Sequence, residues 1–73
     1  MGQGAMNRAR LYIRVIELDC AKWECHRGLE VLSVHSSEDE AVGAAKEVAM
    51  PLAPAAVFVH RRSGLVERIA VFD

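Results

Sequence analysis

The chain has 73 residues, a formal net charge of −1 and a pI near 6.3. That length allows one domain, and the charge argues against a free nucleic-acid binder, whose balance is normally basic. Hydrophobic residues make up 52% of the chain, but many of them are alanine and aromatics are few, which is enough for one thin core of sheet and helix. A domain of this size buries only about 60% of its unfolded surface, so dense packing, a metal, a disulfide or a partner has to supplement the core.

No apolar run approaches the ~20 residues that a membrane span needs. Two cysteines and no signal sequence fit a reducing, cytoplasmic setting. Residues 1–9 are expected to form a flexible arm, with Met6 a candidate for the natural start. The chain begins Met-Gly, but Met6 stands where a myristoylation signal has Ser or Thr. Residues 10–73 are expected to form a single α+β domain.

The first element is "RLYIRVIEL", residues 10–18. Leu11, Ile13 and Val15 alternate with Tyr12 and Arg14, the period of a strand. Ile16 and Leu18 are apolar on the opposite face, as in a strand covered on both sides or lying at a dimer contact. "DCAK" suits a turn, and "WECHR" reads as a second strand with Trp23 and Cys25 on one face and Glu24 and His26 on the other. Gly28 interrupts, and "LEVLSVHS" resumes as a third strand. There Leu29 and Val31 oppose Leu32 and Val34, a conflict that a β-bulge reconciles.

"SSEDEAVGAAKEVAM" carries the clearest signal. Ser37 precedes Glu40 by three residues, the capping-box spacing. Glu38, Asp39 and Glu40 place carboxylates at the positive end of the helix dipole. Ala41, Ala45, Val48 and Leu52 form an apolar stripe of small residues. Pro51 and Pro54 end the helix. In "AAVFVHRRSGLVERIAVFD", Ala56 to Arg61 and Leu65 to Phe72 alternate around "RRSG", where Gly64 is free to take a positive φ. The expected fold is therefore α+β, an antiparallel sheet packed on one helix in the order β-β-β-α-β-β. Its expected core is Leu11, Ile13, Val15, Trp23, Val31, Ala41, Ala45, Val48, Val57, Val59, Ile69 and Val71.

This order of features resembles the small bacterial proteins of domain-of-unknown-function family 2188. The residues that carry the resemblance are Trp23, Ser37-Glu38-Asp39-Glu40-Ala41, and Val59-His60-Arg61-Arg62-Ser63-Gly64-Leu65-Val66. Ser63 departs from the Asp usual at its place, and "DCAK" replaces a Gly-rich turn before the tryptophan. The resemblance implies a fold and no established activity. The first strands and "SSEDEAVGAAKE" are also similar to the N-terminal domain of HicB-type antitoxins, which resembles a partly degraded RNase H domain. That likeness implies a module that binds a protein partner and often oligomerises.

Cys20, Cys25, His26 and either His35 or His60 supply metal-ligand types. The Cys20–Cys25 spacing is wider than a zinc knuckle, however, and no second cysteine pair exists. Cys25 and His26 are adjacent, so a strand points them to opposite faces. The plainer reading makes Cys25 a small buried hydrophobe and Cys20 a turn residue, and no metal or cofactor is expected.

His60, Arg61 and Arg62, with Arg8, Arg10 and Arg14, offer a basic patch for phosphate or nucleic-acid backbone. Set against it is a solvated turn with His60 paired across the hairpin. Glu38, Asp39 and Glu40 are accounted for by helix capping. Ser36 and Ser37 lack a nucleophile-elbow setting, and no phosphate-binding or dinucleotide fingerprint occurs. The sequence therefore points to a non-enzymatic binding or assembly module, expected as a homodimer with room for a further protein partner. The alternative is a nucleic-acid-binding or antitoxin-like regulator that uses Arg8, Arg10, His60, Arg61 and Arg62.

Overall fold

The structure is a computed structural model that describes residues 10–73; the expected N-terminal arm, residues 1–9, lies outside the described residues. Five strands and one helix follow in the order β1 (Leu11–Leu18), β2 (Lys22–Arg27), β3 (Glu30–His35), α1 (Glu38–Ala49), a 3-10 turn (Met50–Leu52), β4 (Ala55–His60) and β5 (Val66–Phe72). The strands form a single sheet in the spatial order β3-β2-β1-β4-β5. The fold is α+β, as the sequence implies.

The sheet is mixed rather than purely antiparallel. β1 pairs with β4 in parallel, with Leu11 opposite Ala55 and Ile16 opposite His60; the other three pairings are antiparallel. The cause is the connection. β1, β2 and β3 form a meander, α1 then crosses back over the sheet, and β4 is delivered beside β1 in the same direction. Antiparallel neighbours can be joined by tight turns, whereas a parallel pair requires a crossover of this length.

The helix forms where the capping box lies. Ser37 is the N-cap, extended at φ −141, and its hydroxyl accepts from the Glu40 amide at 3.2 Å. Ala41, Ala45 and Ala49 are fully buried; their small side chains let the helix lie close on Ile13, Val15, Cys25, Val57 and Val59, which are also fully buried. Burying each of the branched side chains is worth about 1.5–3 kcal/mol. Leu11, Trp23, Leu32, Val48 and Phe72 pack around this centre. The Trp23 indole N–H is buried there with no acceptor.

Three residues expected in the core are not in it. Val31 is 47%, Ile69 36% and Val71 41% exposed. Val31 pairs with His26, and Val71 with Ala56, on the face that the helix does not cover. Ile69 is an extra residue, since Val57 pairs with Ala70 and the next residue, Phe58, with Arg68. Leu32 is the corresponding extra residue in β3, between Ser33 (opposite Cys25) and Val31 (opposite His26). The bulge expected in the third strand is thus at Leu32, which turns into the core.

The C-terminal hairpin closes as its sequence implies. Arg61 N–H donates to the Leu65 carbonyl at 2.8 Å, Gly64 N–H donates to the Arg61 carbonyl at 2.9 Å, and Gly64 takes φ +98. No helix among the described residues is long and apolar enough to cross a membrane.

Candidate functional site

The arginines that sequence reasoning grouped together are separated by the fold. Arg8 lies outside the described residues. Arg10 precedes β1 and pairs with Asp73 at 3.0 Å, at the end of the sheet where β1 and β4 begin. Arg61 and Arg62 follow β4 at the other end, roughly 23 Å away at ~3.3 Å per strand residue. Each is already engaged with carboxylates. Arg61 Nη2 donates to Glu38 at 3.0 Å and to Glu67 at 2.7 Å. Arg62 pairs with Asp19 at 2.7 Å, and its backbone N–H donates to Glu17 at 3.1 Å. Of that set, Arg14 and His60 lie together on the uncovered sheet face.

The cysteines are likewise held apart. Cys25 is fully buried beneath α1 and Cys20 is exposed in the β1–β2 turn. Burial pushes the Cys25 thiol above its ordinary value, partly offset by a hydrogen bond with Ser33. His26 points to the opposite face and contacts Glu24 at 2.9 Å, while His35 contacts the Ser33 hydroxyl at 2.8 Å. Among the described residues no group of three or more His, Cys, Asp or Glu side chains is placed to hold a metal ion. Cys20, Lys22, His35 and Glu40 line a wide, open depression beside the start of α1.

The feature the fold does assemble is the uncovered sheet face. Strand registers set its side chains in three rows that reach β4 and β5, with Leu18 and Lys22 beginning a fourth. The first contains Tyr12, Ala56 and Val71. The second runs Val31, His26, Arg14, Phe58, Arg68 across all five strands. The third runs Val34, Glu24, Ile16, His60, Val66. Tyr12 and Phe58 meet edge-to-face at 5.3 Å, an arrangement their ring quadrupoles favour. With Arg14, His60 and Val66 they line a shallow, mostly apolar groove of about 300 Å³.

The electrostatics of this face differ from those of the hairpin tip. Arg14 donates to the Gly28 carbonyl at 2.9 Å, and among the described residues neither Arg14 nor Arg68 is paired with a carboxylate. Glu24 is the one acid in the three rows. Burial and the neighbouring Arg14 charge hold the His60 imidazole below its ordinary value of 6.5, so it is neutral at pH 7.

Sequence reasoning singled out neither Phe58, Arg68, Glu24 nor Val66 for function. The alternation of each strand does place them opposite its buried positions. Their convergence depends on β1 lying beside β4, which no local pattern encodes.

Comparisons with models of protein families, with curated proteins and with solved structures found no match.

Proposed function

We propose that this chain is a non-enzymatic binding and assembly module that associates with a second copy of itself through the uncovered face of its sheet. One observation carries the reading. A single helix covers one face of five strands, and the other face leaves Tyr12 55%, Val66 49% and Val71 41% exposed beside Phe58. A contiguous apolar surface of this kind marks an interaction site.

The edges are poorer candidates. β3 and β5 are the edge strands, and each is interrupted by a bulge, at Leu32 and Ile69. Bulges twist an edge away from pairing with another chain. The resemblance to the antitoxin-type domain points the same way, since it implies partner binding and oligomerisation. Sedimentation equilibrium on the wild type and on Val66→Glu/Val71→Glu tests the reading. A wild-type dimer that the double variant converts to a folded monomer is expected. An unchanged dimer in the variant overturns the choice of face.

One feature favours a second reading. Arg14 and Arg68 flank Phe58 in one row without carboxylate partners, and aromatic rings beside guanidinium groups can stack bases and hold phosphates. Fluorescence anisotropy with a single-stranded oligonucleotide at rising salt tests it. Affinity that falls steeply with salt and is lost in Arg14→Ala/Arg68→Ala supports this reading.

A further inference from the structure

The rows of the uncovered face restrict how two copies can meet. This inference rests on self-association through that face. Face-to-face sheets pack about 10 Å apart with their strands nearly aligned, and a two-fold contact brings the same patch from both subunits together. If the axis runs along the strands over β1, Arg14 meets its own copy. If it runs over β4, Arg14 meets the partner's Arg68. An axis across the strands either stacks the arginine row on itself or leaves one of the three rows uncovered.

An axis along the strands between β1 and β4 avoids these conflicts. It lays β1 on the partner's β4 and β2 on the partner's β5. Arg14 then faces the partner's Phe58 ring, a cation–π contact. His26 faces the partner's Arg68 directly, and Glu24, which contacts His26 at 2.9 Å, lies one row away, within reach of a guanidinium. We infer that the chain forms an isologous dimer about an axis between β1 and β4, closed by two symmetric Glu24–Arg68 ion pairs between subunits.

The size of the plate is consistent with a weak, specific dimer. Four strands at ~4.8 Å spacing and six residues at ~3.3 Å rise give a face roughly 20 Å on a side. Two such faces bury on the order of 1,000 Å² in total, near the lower limit for a specific interface. Within one chain Glu24 and Arg68 are three strands apart, about 14 Å, so a coupling between them reports a contact between chains.

The experiment is a charge swap read by native mass spectrometry. Glu24→Arg alone opposes two cations at each of the two contacts, and Arg68→Glu alone opposes two carboxylates. Each variant is expected to raise the dimer dissociation constant at least about tenfold, because like charges opposed in an interface cost several kcal/mol. An equimolar mixture restores both pairs, so it is expected to form the heterodimer at close to wild-type affinity. A mixture that stays monomeric, or a single variant that dimerises like the wild type, overturns the inference.

The milder pair Glu24→Gln and Arg68→Gln guards against loss of folding in the charge reversals: the double variant is expected to weaken the dimer no more than the worse single one. Fully additive losses in that pair overturn the inference. A dimeric wild type that fails these tests refutes this axis and leaves self-association standing. A monomeric wild type refutes both, and a monomer that takes up a single-stranded oligonucleotide gives the face to nucleic acid instead.

Discussion

Arg61, just past the end of β4, holds Glu38 in the first turn of α1 through both of its Nη atoms and holds Glu67 of β5 through Nε and Nη2. One guanidinium thus ties the helix start to the C-terminal hairpin. The same bonds keep the Glu38 carboxyl below its ordinary value of 4.5. A carboxylate stabilised in this way contributes to folding above that value, and the contribution is lost as pH falls through the folded-state pKa. Arg61→Ala is expected to lower the thermal midpoint at pH 7 and to flatten the acid limb of stability below pH 4.5. Thermal melts followed by circular dichroism between pH 3 and 7 check both effects. Unchanged melts would show that the cluster is ornamental.

This geometry also changes how the hairpin arginines can be probed. Reversing Arg61 and Arg62 opposes Glu38, Glu67, Glu17 and Asp19 as well as removing positive charge. A lost interaction in that variant therefore has to be read against its melting curve. Substituting Arg14 and Arg68 opposes no carboxylate, and removes only the hydrogen bond from half-buried Arg14 to the Gly28 carbonyl.

The β1–β2 turn holds two consecutive non-glycine residues with positive φ, Cys20 at +63 and Ala21 at +53. A side-chain-bearing residue in that region is disfavoured by about 1 kcal/mol, and Asn-Gly is the sequence that such a turn prefers. Cys20→Asn/Ala21→Gly is expected to stabilise the fold by roughly 1 kcal/mol in urea unfolding. A destabilised double variant would mean that Cys20 or Ala21 makes a contact the turn needs.

Much of the fold can be read along the chain. The capping box at Ser37 and Glu40 places the helix start, and Gly64 places the hairpin turn. The opposed pattern of Val31, Leu32 and Val34 anticipates the bulge. Alternation divides each strand into two faces but does not say which face a helix covers, so Val31 and Val71 looked like core residues. The parallel pairing of β1 with β4 joins segments some forty residues apart and leaves no local mark. The candidate site was the least legible part. The carboxylates that engage Arg61 and Arg62 lie up to 45 residues away, and the row His26–Arg14–Phe58–Arg68 exists only once four strands are in register.

The two cysteines should react very differently. Cys25 is fully buried with its thiol pushed up by desolvation, and Cys20 is exposed. The thiolate is the reactive form. In native protein at pH 8, iodoacetamide is expected to modify Cys20 rapidly and Cys25 only after denaturation. Peptide mass mapping over time checks this; equal rates would contradict the burial of Cys25 beneath α1.

His60 provides a pH test of the uncovered face. Its folded-state pKa is lowered by burial and by Arg14, so the unfolded chain takes up the proton first as pH falls. Stability is expected to decline as pH drops below 6.5, with no contribution above that value. An NMR titration of the His60 ring should have its midpoint below 6.5, moving upward in Arg14→Ala. A midpoint at 6.5 that ignores Arg14 would separate the two side chains.

Native mass spectrometry of the wild-type chain over a concentration series, with and without added zinc, tests self-association most directly. Expected is a metal-free species of twice 8.0 kDa whose share grows with concentration. A chain that stays at 8.0 kDa throughout would contradict the assembly reading, and a dimer present only with zinc would move its cause from the sheet face to the cysteines and histidines.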